Sequence, residues 1–185
     1  IDKAFTALAG PAGINIVANE RYARTDTSVE AQVLKILAAK PDAVLIGGSG
    51  TPGALPAISL AGRGYKGAVY GNHGMVNPDF LRVGGKSVEG LIAPTGPLVV
   101  VELLPDSSPV KSIASSFVKA YDAAYGVQNR NAFAGYAYDA NVLLEKAAPE
   151  AMKTAKPGTP AFRAALRNAL ENLREVAGTH GVYTM

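Results

Sequence analysis

The sequence has no cysteine. That excludes structural disulfides, thiol nucleophiles and thiolate metal sites together, and is compatible with either the cytoplasm or an oxidising periplasm. Histidine occurs only at His73 and His180, far apart in the chain. No His pair or His-carboxylate cluster stands at metal-ligand spacing, so neither a metal nor another cofactor is assigned. No stretch approaches the roughly 20 apolar residues of a membrane helix, and Ile1 begins no basic-then-apolar signal pattern. The formal charge of +3 comes from scattered Lys and Arg, without a basic block and without aromatics interleaved among them. Nucleic acid is therefore not an expected partner. Ser49 lies in Gly48-Ser49-Gly50 and lacks the full nucleophile elbow, so no covalent catalysis is read and the chain is not expected to be an enzyme.

What is present is a chain of 185 residues with 48% hydrophobic content, enough for a substantial core in one large domain or two small ones. Asp2 to about Ala9 reads as helix, with Ala4, Phe5 and Leu8 on one face, and Ile14 to Ala18 as a strand. Thr27, Ser28 and Glu30 form a capping-box pattern ahead of a helix carrying Val33, Leu34, Ile36 and Leu37, which should stop before Pro41. Ala43 to Ile46 is a short apolar run without alternation, as for a strand covered on both faces. Pro52 opens a helix that ends at Gly62 to Gly64, Ala68 to Tyr70 makes the next strand, and Asn77 with Pro78 starts a short helix through Leu81. Successive α/β units favour a doubly wound parallel sheet.

From Leu91 to Leu104 an apolar run is interrupted by Pro94, Gly96 and Pro97. It reads as two strands meeting at a bend, a candidate hinge. Three helical stretches follow: one from Ser108 and Pro109 to near Gly126, one from Ala132 to Ala147, and one from Thr159 and Pro160 to about Val176. Gly181 to Met185 reads as a final strand. A parallel α/β domain normally opens with a strand, whereas this chain opens in a helix. The expectation is a fragment cut at both ends, whose uncovered sheet edge favours self-association.

The candidate site lies where two strands end in glycine-flanked polar residues, Ser49, Gly50 and Thr51 after the first and Asn72 and His73 after the second. Loops beyond the carboxyl ends of adjacent parallel strands face one crevice, so the two are expected to share a small ligand. Ser49 and Thr51 either cap the following helix or donate to the ligand. His73 can donate, accept or carry charge near neutral pH, or bond only to neighbouring backbone. Gly48, Gly50 and Gly53 also fit a dinucleotide fingerprint, but Gly71 and Asn72 stand where that pattern wants an acid. An enzyme binding a nucleotide or phosphorylated cofactor at Gly48 to Gly53 is the alternative reading. Glu20, Arg21, Tyr22 and Arg24 form a polar loop that either rims the cleft or is merely solvated. Asp42 reads as a solvated turn residue. Tyr136 and Tyr138 diverge by about 200° on a helix and cannot face one site.

Several segments together resemble a known family. They are Glu20 through Gly48, with Tyr22, Thr25, Asp26 and the helix Ala31 to Lys40; the Gly62 to Gly67 turn; Val88-Glu89-Gly90; and Tyr136, Tyr138, Asp139 and Ala140. The resemblance is to the periplasmic solute-binding proteins of the branched-chain amino acid ABC transporter type. It implies a type I architecture, doubly wound parallel sheets in two lobes joined by crossing strands, incomplete here. Residues 1–95 would form most of the second lobe and residues 96–185 part of the first, joined by a hinge near 94–97. The family's role would be extracytoplasmic capture of a small ligand by hinge closure and delivery to a membrane permease, with a signal peptide upstream of this chain and a periplasmic location. Family members that bind α-amino acids tend to place an acidic side chain in the loop where this chain has His73. That departure favours a carboxylate, carbonyl or hydroxyl on the ligand over an ammonium group, so an aromatic or other small organic acid stands beside an amino acid as the expected ligand.

Overall fold

The computed structural model describes residues 2–185. The chain divides into two compact units, one ending at Thr95 and the other spanning Gly96–Met185.

In the first unit, α1 (Asp2–Ala9) precedes α2 (Glu30–Ala38), β1 (Ala43–Leu45), a 3₁₀ turn at Thr51–Gly53, α3 (Ala54–Gly62), β2 (Ala68–Tyr70), a second 3₁₀ turn at His73–Met75 and α4 (Pro78–Gly84). β1 and β2 pair in parallel, Ala43 opposite Ala68 and Leu45 opposite Tyr70. Ile92 adds a parallel bridge to Tyr70, its N–H donating to the Val69 carbonyl at 2.9 Å and its carbonyl accepting from Gly71 at 2.8 Å. The core of this unit is Val29 and Val33 from the α2 side, Ile46 after β1, Ala54, Ala57 and Leu60 of α3, and Met75 and Phe80. Proline at the first helical position with a polar cap before it works as the sequence suggests at α4, where Asn77 Oδ1 accepts from the Phe80 N–H at 2.9 Å.

Four expectations for this unit change. Ile14 to Ala18 is not a strand, because a strand exists only by pairing and no neighbour is present among the described residues; Ile14, Ile16 and Val17 are exposed. On α1 only Ala9 is buried, and Leu8 is exposed. β1 is not covered on both faces, since Ala43 and Leu45 are exposed while Val44 turns inward. The capping box does not form. Ser28 makes only a long 3.4 Å contact to the Glu30 N–H, and no side chain caps α2. The Glu30 carboxylate reaches α3 instead, accepting from Ser59 Oγ at 2.7 Å and from Arg63 Nε at 2.8 Å.

In the second unit a 3₁₀ stretch (Pro97–Leu103) leads to α5 (Lys111–Tyr125), α6 (Ala132–Met152), α7 (Pro160–Glu171) and an antiparallel hairpin of β3 (Val176–Ala177) and β4 (Val182–Tyr183). The segment after Pro97 was expected to be a strand. Proline instead starts a helical turn, broken at Val100 (φ −127°, ψ 29°), that buries Leu98 and Val101 against Ala114 and Val118 of α5. α6 runs past Ala147, through Pro149, and buries Ala147 and Ala151. α7 stops at Glu171, five residues before the expected end, and Val176 belongs to β3. Thr159 caps α7 by accepting from the Phe162 N–H at 3.1 Å.

Two polar anchors hold this unit. Arg130 donates to Asp122 of α5 and to Glu102 of the 3₁₀ stretch, both at 2.6 Å, which pushes its already high pKa further up. Asp139, on α6 and 2% exposed, accepts from the N–H groups of Thr179 at 2.6 Å and His180 at 3.0 Å, and from Tyr183 Oη at 2.7 Å. Burial, and then the bond to this carboxylate, raises the Tyr183 phenol's pKa. Of the two tyrosines on α6, Tyr138 packs on Phe117 with ring centroids 4.8 Å apart, while Tyr136 stacks on His180 at 4.0 Å.

The Asp139 anchor and the Glu30 contacts of the first unit each give a prediction. Asp139→Ala leaves buried donors without an acceptor and should cost ~3 kcal/mol or more in chemical denaturation of the second unit. Hydrogen bonds from Ser59 and then Arg63 lower the Glu30 pKa. A carboxylate so lowered contributes stability that is complete above its unfolded pKa and lost as pH falls through the folded one. Glu30→Gln should therefore melt below the parent at pH 7, with the gap closing as pH falls through the acid range in a melting-temperature series.

Candidate functional site

The site is built where β1 and β2 end. Ile46 N–H donates to the Tyr70 carbonyl at 2.8 Å, the last rung between the two strands. They then stay together. Gly50 N–H donates to the Gly74 carbonyl at 3.1 Å, and Asn72 Nδ2 donates to the Gly48 carbonyl at 2.5 Å. Asn72 Oδ1 accepts from Gly74 N–H at 2.7 Å, which caps the His73–Met75 turn, and Asn77 Nδ2 donates to the Gly74 carbonyl at 3.1 Å.

The glycines are fixed by this closeness. Gly50 has φ 61° and ψ −154°, a conformation closed to side chains. A Cβ at Gly74 would lie 2.9 Å from Ser49 Cβ, and one at Gly48 would collide with Tyr22 Oη and sit 3.0 Å from Gly53 Cα. These contacts account for the glycine spacing without a phosphate. The N–H of Gly50, which a phosphate-binding loop would offer to its ligand, is spent on Gly74.

The structure brings Ser49 and Gly50 together with the Asn72 to Gly74 turn, and Thr51 follows at the start of the 3₁₀ turn. Neither Ser49 nor Thr51 caps that turn. Ser49 Oγ instead accepts from Arg24 Nη1 at 3.4 Å. Thr51 and His73 are exposed, and the His73 ring makes no hydrogen bond among the described residues, so the reading in which it bonds only to backbone is not the arrangement seen. One Asn72 N–H remains after its loop contacts.

Arg24 and Tyr22 take a larger part than the sequence suggested. Tyr22 Oη donates to the Pro52 carbonyl at 3.1 Å. Burial pushes its phenol pKa up, against an opposing pull from Arg24. Their neighbours behave as solvated loop residues: Arg21 pairs with Asp2 at 2.6 Å and Glu20 with Lys35 at 3.3 Å. A polar cluster 25 residues upstream of Ser49 carries no local signal of the contact it will make. The resulting surface has hydroxyl, amide, imidazole and guanidinium donors. Neither loop contains an acid, and Asp26 turns its carboxylate to the Ala23 N–H at 2.8 Å. Among the described residues no cluster of His, Asp or Glu could hold a metal ion.

A parallel α/β unit with polar loops beyond the carboxyl ends of its strands presents them where such sheets bind small ligands. The family model described as periplasmic binding protein matches residues 1–185, and the chain belongs to that family. Its fold is the type I periplasmic binding fold. An extracellular ligand-binding receptor from Rhodopseudomonas palustris is similar at 43% identity and TM-score 0.94, over 100% of this chain and 51% of its own. A second such receptor, from Rhodopseudomonas palustris HaA2, is 44% identical with TM-score 0.95, over 100% of this chain and 52% of its own. The leucine binding protein LivK from Thermotoga maritima MSB8 shares the fold at 22% identity and TM-score 0.81, over 100% of this chain and 48% of its own. The chain thus spans about half the length of the solved structures it matches. No curated protein gave a match.

Gly48→Ala should destabilise the first unit by about 1–3 kcal/mol, because the added methyl has no room beside Tyr22 and Gly53. Tyr22→Phe removes the colliding oxygen. The double variant should recover part of the loss, measured as a coupling in a double-mutant cycle.

Proposed function

We propose that this chain forms part of an extracytoplasmic, periplasmic receptor that captures a small carboxylic acid, aromatic or otherwise organic, or an amino acid, and delivers it to an ABC importer through its membrane permease. The observation that carries the reading is the contact of Arg24 with Ser49 at the mouth of two loops without acids. A guanidinium with flanking hydroxyl, amide and imidazole donors matches a carboxylate, which accepts only. An ammonium group would find no carboxylate in either loop. Of the two ligand classes, the acid lacking an ammonium group suits this surface better.

In this reading Ser49, Thr51 and His73 donate to the ligand, Gly50 lets the backbone approach, and Asn72 holds the loops while offering one N–H. Residues 1–95 supply most of the second lobe and residues 96–185 part of the first. Ligand held on one lobe gains contacts on the other, and that difference in affinity favours the closed form. The nucleotide-enzyme alternative has less support, since the glycine loop has turned its Gly50 donor inward.

The test is a thermal-shift and calorimetric screen of the full-length protein against aromatic carboxylates, aliphatic amino acids and nucleotides, since a ligand that binds only the folded state raises its melting temperature. Stabilisation by a carboxylate is expected, with affinity reduced about tenfold or more in Arg24→Ala, the loss typical of a hydrogen bond to a charged group. His73→Ala should weaken it as well. Stabilisation by nucleotides alone would reject the proposal.

A further inference from the structure

Beside β2 the third position of the sheet holds a single rung, and a cavity of about 310 Å³ opens where the next would be. Along β2 the N–H and carbonyl groups of Ala68 and Tyr70 are turned to β1, and those of Gly67, Val69 and Gly71 to the opposite side. Ile92 takes the rung there, between the Val69 carbonyl and the Gly71 N–H. A parallel strand would take the next one at Gly90, its N–H on the Gly67 carbonyl and its carbonyl on the Val69 N–H. Neither bond forms. Gly90 has φ 81°, outside strand geometry, and the Leu91 N–H turns back to the Val88 carbonyl at 3.2 Å. The Val69 donor and the Gly67 acceptor are thus left on the cavity side without partners among the described residues.

The walls supply the rest of a small-molecule site. Leu60 of α3 is buried and, with half-buried Val69 and Leu91, gives the cavity an apolar floor. Tyr65 is held in its wall by donating from Oη to the Pro41 carbonyl at 3.0 Å. Lys66, Lys86 and Glu89 line it and are exposed, and no ion pair among the described residues takes any of them. The volume is at the small end of ligand pockets. All of these residues belong to the first unit, at the amino end of β2, the end opposite the Ser49 and His73 loops.

We infer that this cavity is a second ligand site, for a small 2-amino or 2-hydroxy acid with a short apolar side chain. Such a molecule carries a donor and a carboxylate in the spacing of one residue, so it makes the rung that Gly90 omits. Its amino or hydroxyl group donates to the Gly67 carbonyl, and its carboxylate accepts from the Val69 N–H and from the Lys66 and Lys86 ammonium groups. The side chain lies on Leu60 and Leu91. Glu89 offers an ammonium group a further acceptor, which a hydroxyl does not need. The site does not depend on which ligand the Ser49 and His73 loops take.

Valine and 2-hydroxyisovalerate are the probes, with isovalerate as the control that keeps the side chain and carboxylate but lacks the neighbouring donor. In amide-resolved magnetic resonance of the full-length protein, the Val69 N–H should exchange with solvent faster than that of Tyr70. Either probe at millimolar concentration should shift the Val69 signal and slow its exchange, and isovalerate should bind at least about tenfold more weakly. Lys66→Gln with Lys86→Gln should weaken both probes about tenfold or more, the loss typical of a hydrogen bond to a charged group. Glu89→Gln should weaken valine more than 2-hydroxyisovalerate. Arg24→Ala should leave the Val69 response unchanged, so failure of the loop site and failure of this one are read separately. A Val69 amide that neither probe moves, equal affinity for isovalerate, or affinities that the lysine changes leave intact would overturn the assignment. Should the lysine variant fail to fold, the Val69 response of the parent protein and the isovalerate comparison still decide it.

Discussion

The hydrogen bond from the Gly50 N–H to the Gly74 carbonyl, braced by Asn72, makes two loops into one surface. Parallel strands deliver their carboxyl ends side by side, but nothing in strand pairing keeps the following loops together. Here Asn72 spans them, donating to one loop while capping the turn of the other. Gly48, Gly53 and Gly74 are small because the backbones are drawn to contact distance, and Ser49 is turned to where Arg24 can reach it. The site's polarity therefore follows from its packing. Inward bonds take up the Gly50 and Gly74 N–H groups, while the Thr51 and His73 side chains stay exposed.

Asp139 plays the corresponding part in the second unit. A lone buried carboxylate would be costly, but this one accepts two backbone N–H groups and a phenol from the β3–β4 hairpin, a strand pair too short to be stable alone. The bonds orient Thr179 and His180 so that the imidazole lies between Ala132, Tyr136 and Gly96. A hairpin of four paired residues thus reaches back to the start of its unit.

Local chemistry was legible in the sequence wherever it was self-contained. Asn77 before Pro78, Thr159 before Pro160, and Gly126 after Tyr125 mark helix ends because cap, proline and glycine act within a turn of themselves. The parallel pair of β1 and β2 and its two polar loops were legible from two short apolar runs, each followed by glycine-flanked polar residues. Strands were misread where they depended on a neighbour: Ile14 to Ala18 has the composition of a strand without a partner, and Leu98 to Leu103 winds into a 3₁₀ stretch because burying Leu98 and Val101 against α5 outweighs β-branched composition. Glu30 was read as a local cap and binds 29 and 33 residues away. Arg24 on Ser49 and Asp139 under the hairpin are likewise contacts of the fold, which no local pattern encodes.

The bonds between the loops also bear on how a ligand would be met. At the loops, bonding within one unit fixes a surface before any ligand arrives, so binding need not first order it. A floppy surface would lose part of any ligand's binding energy to ordering. The glycines that a sequence reader takes for flexibility, Gly48, Gly74 and Gly96, are here positions of close contact, where a side chain would have no room.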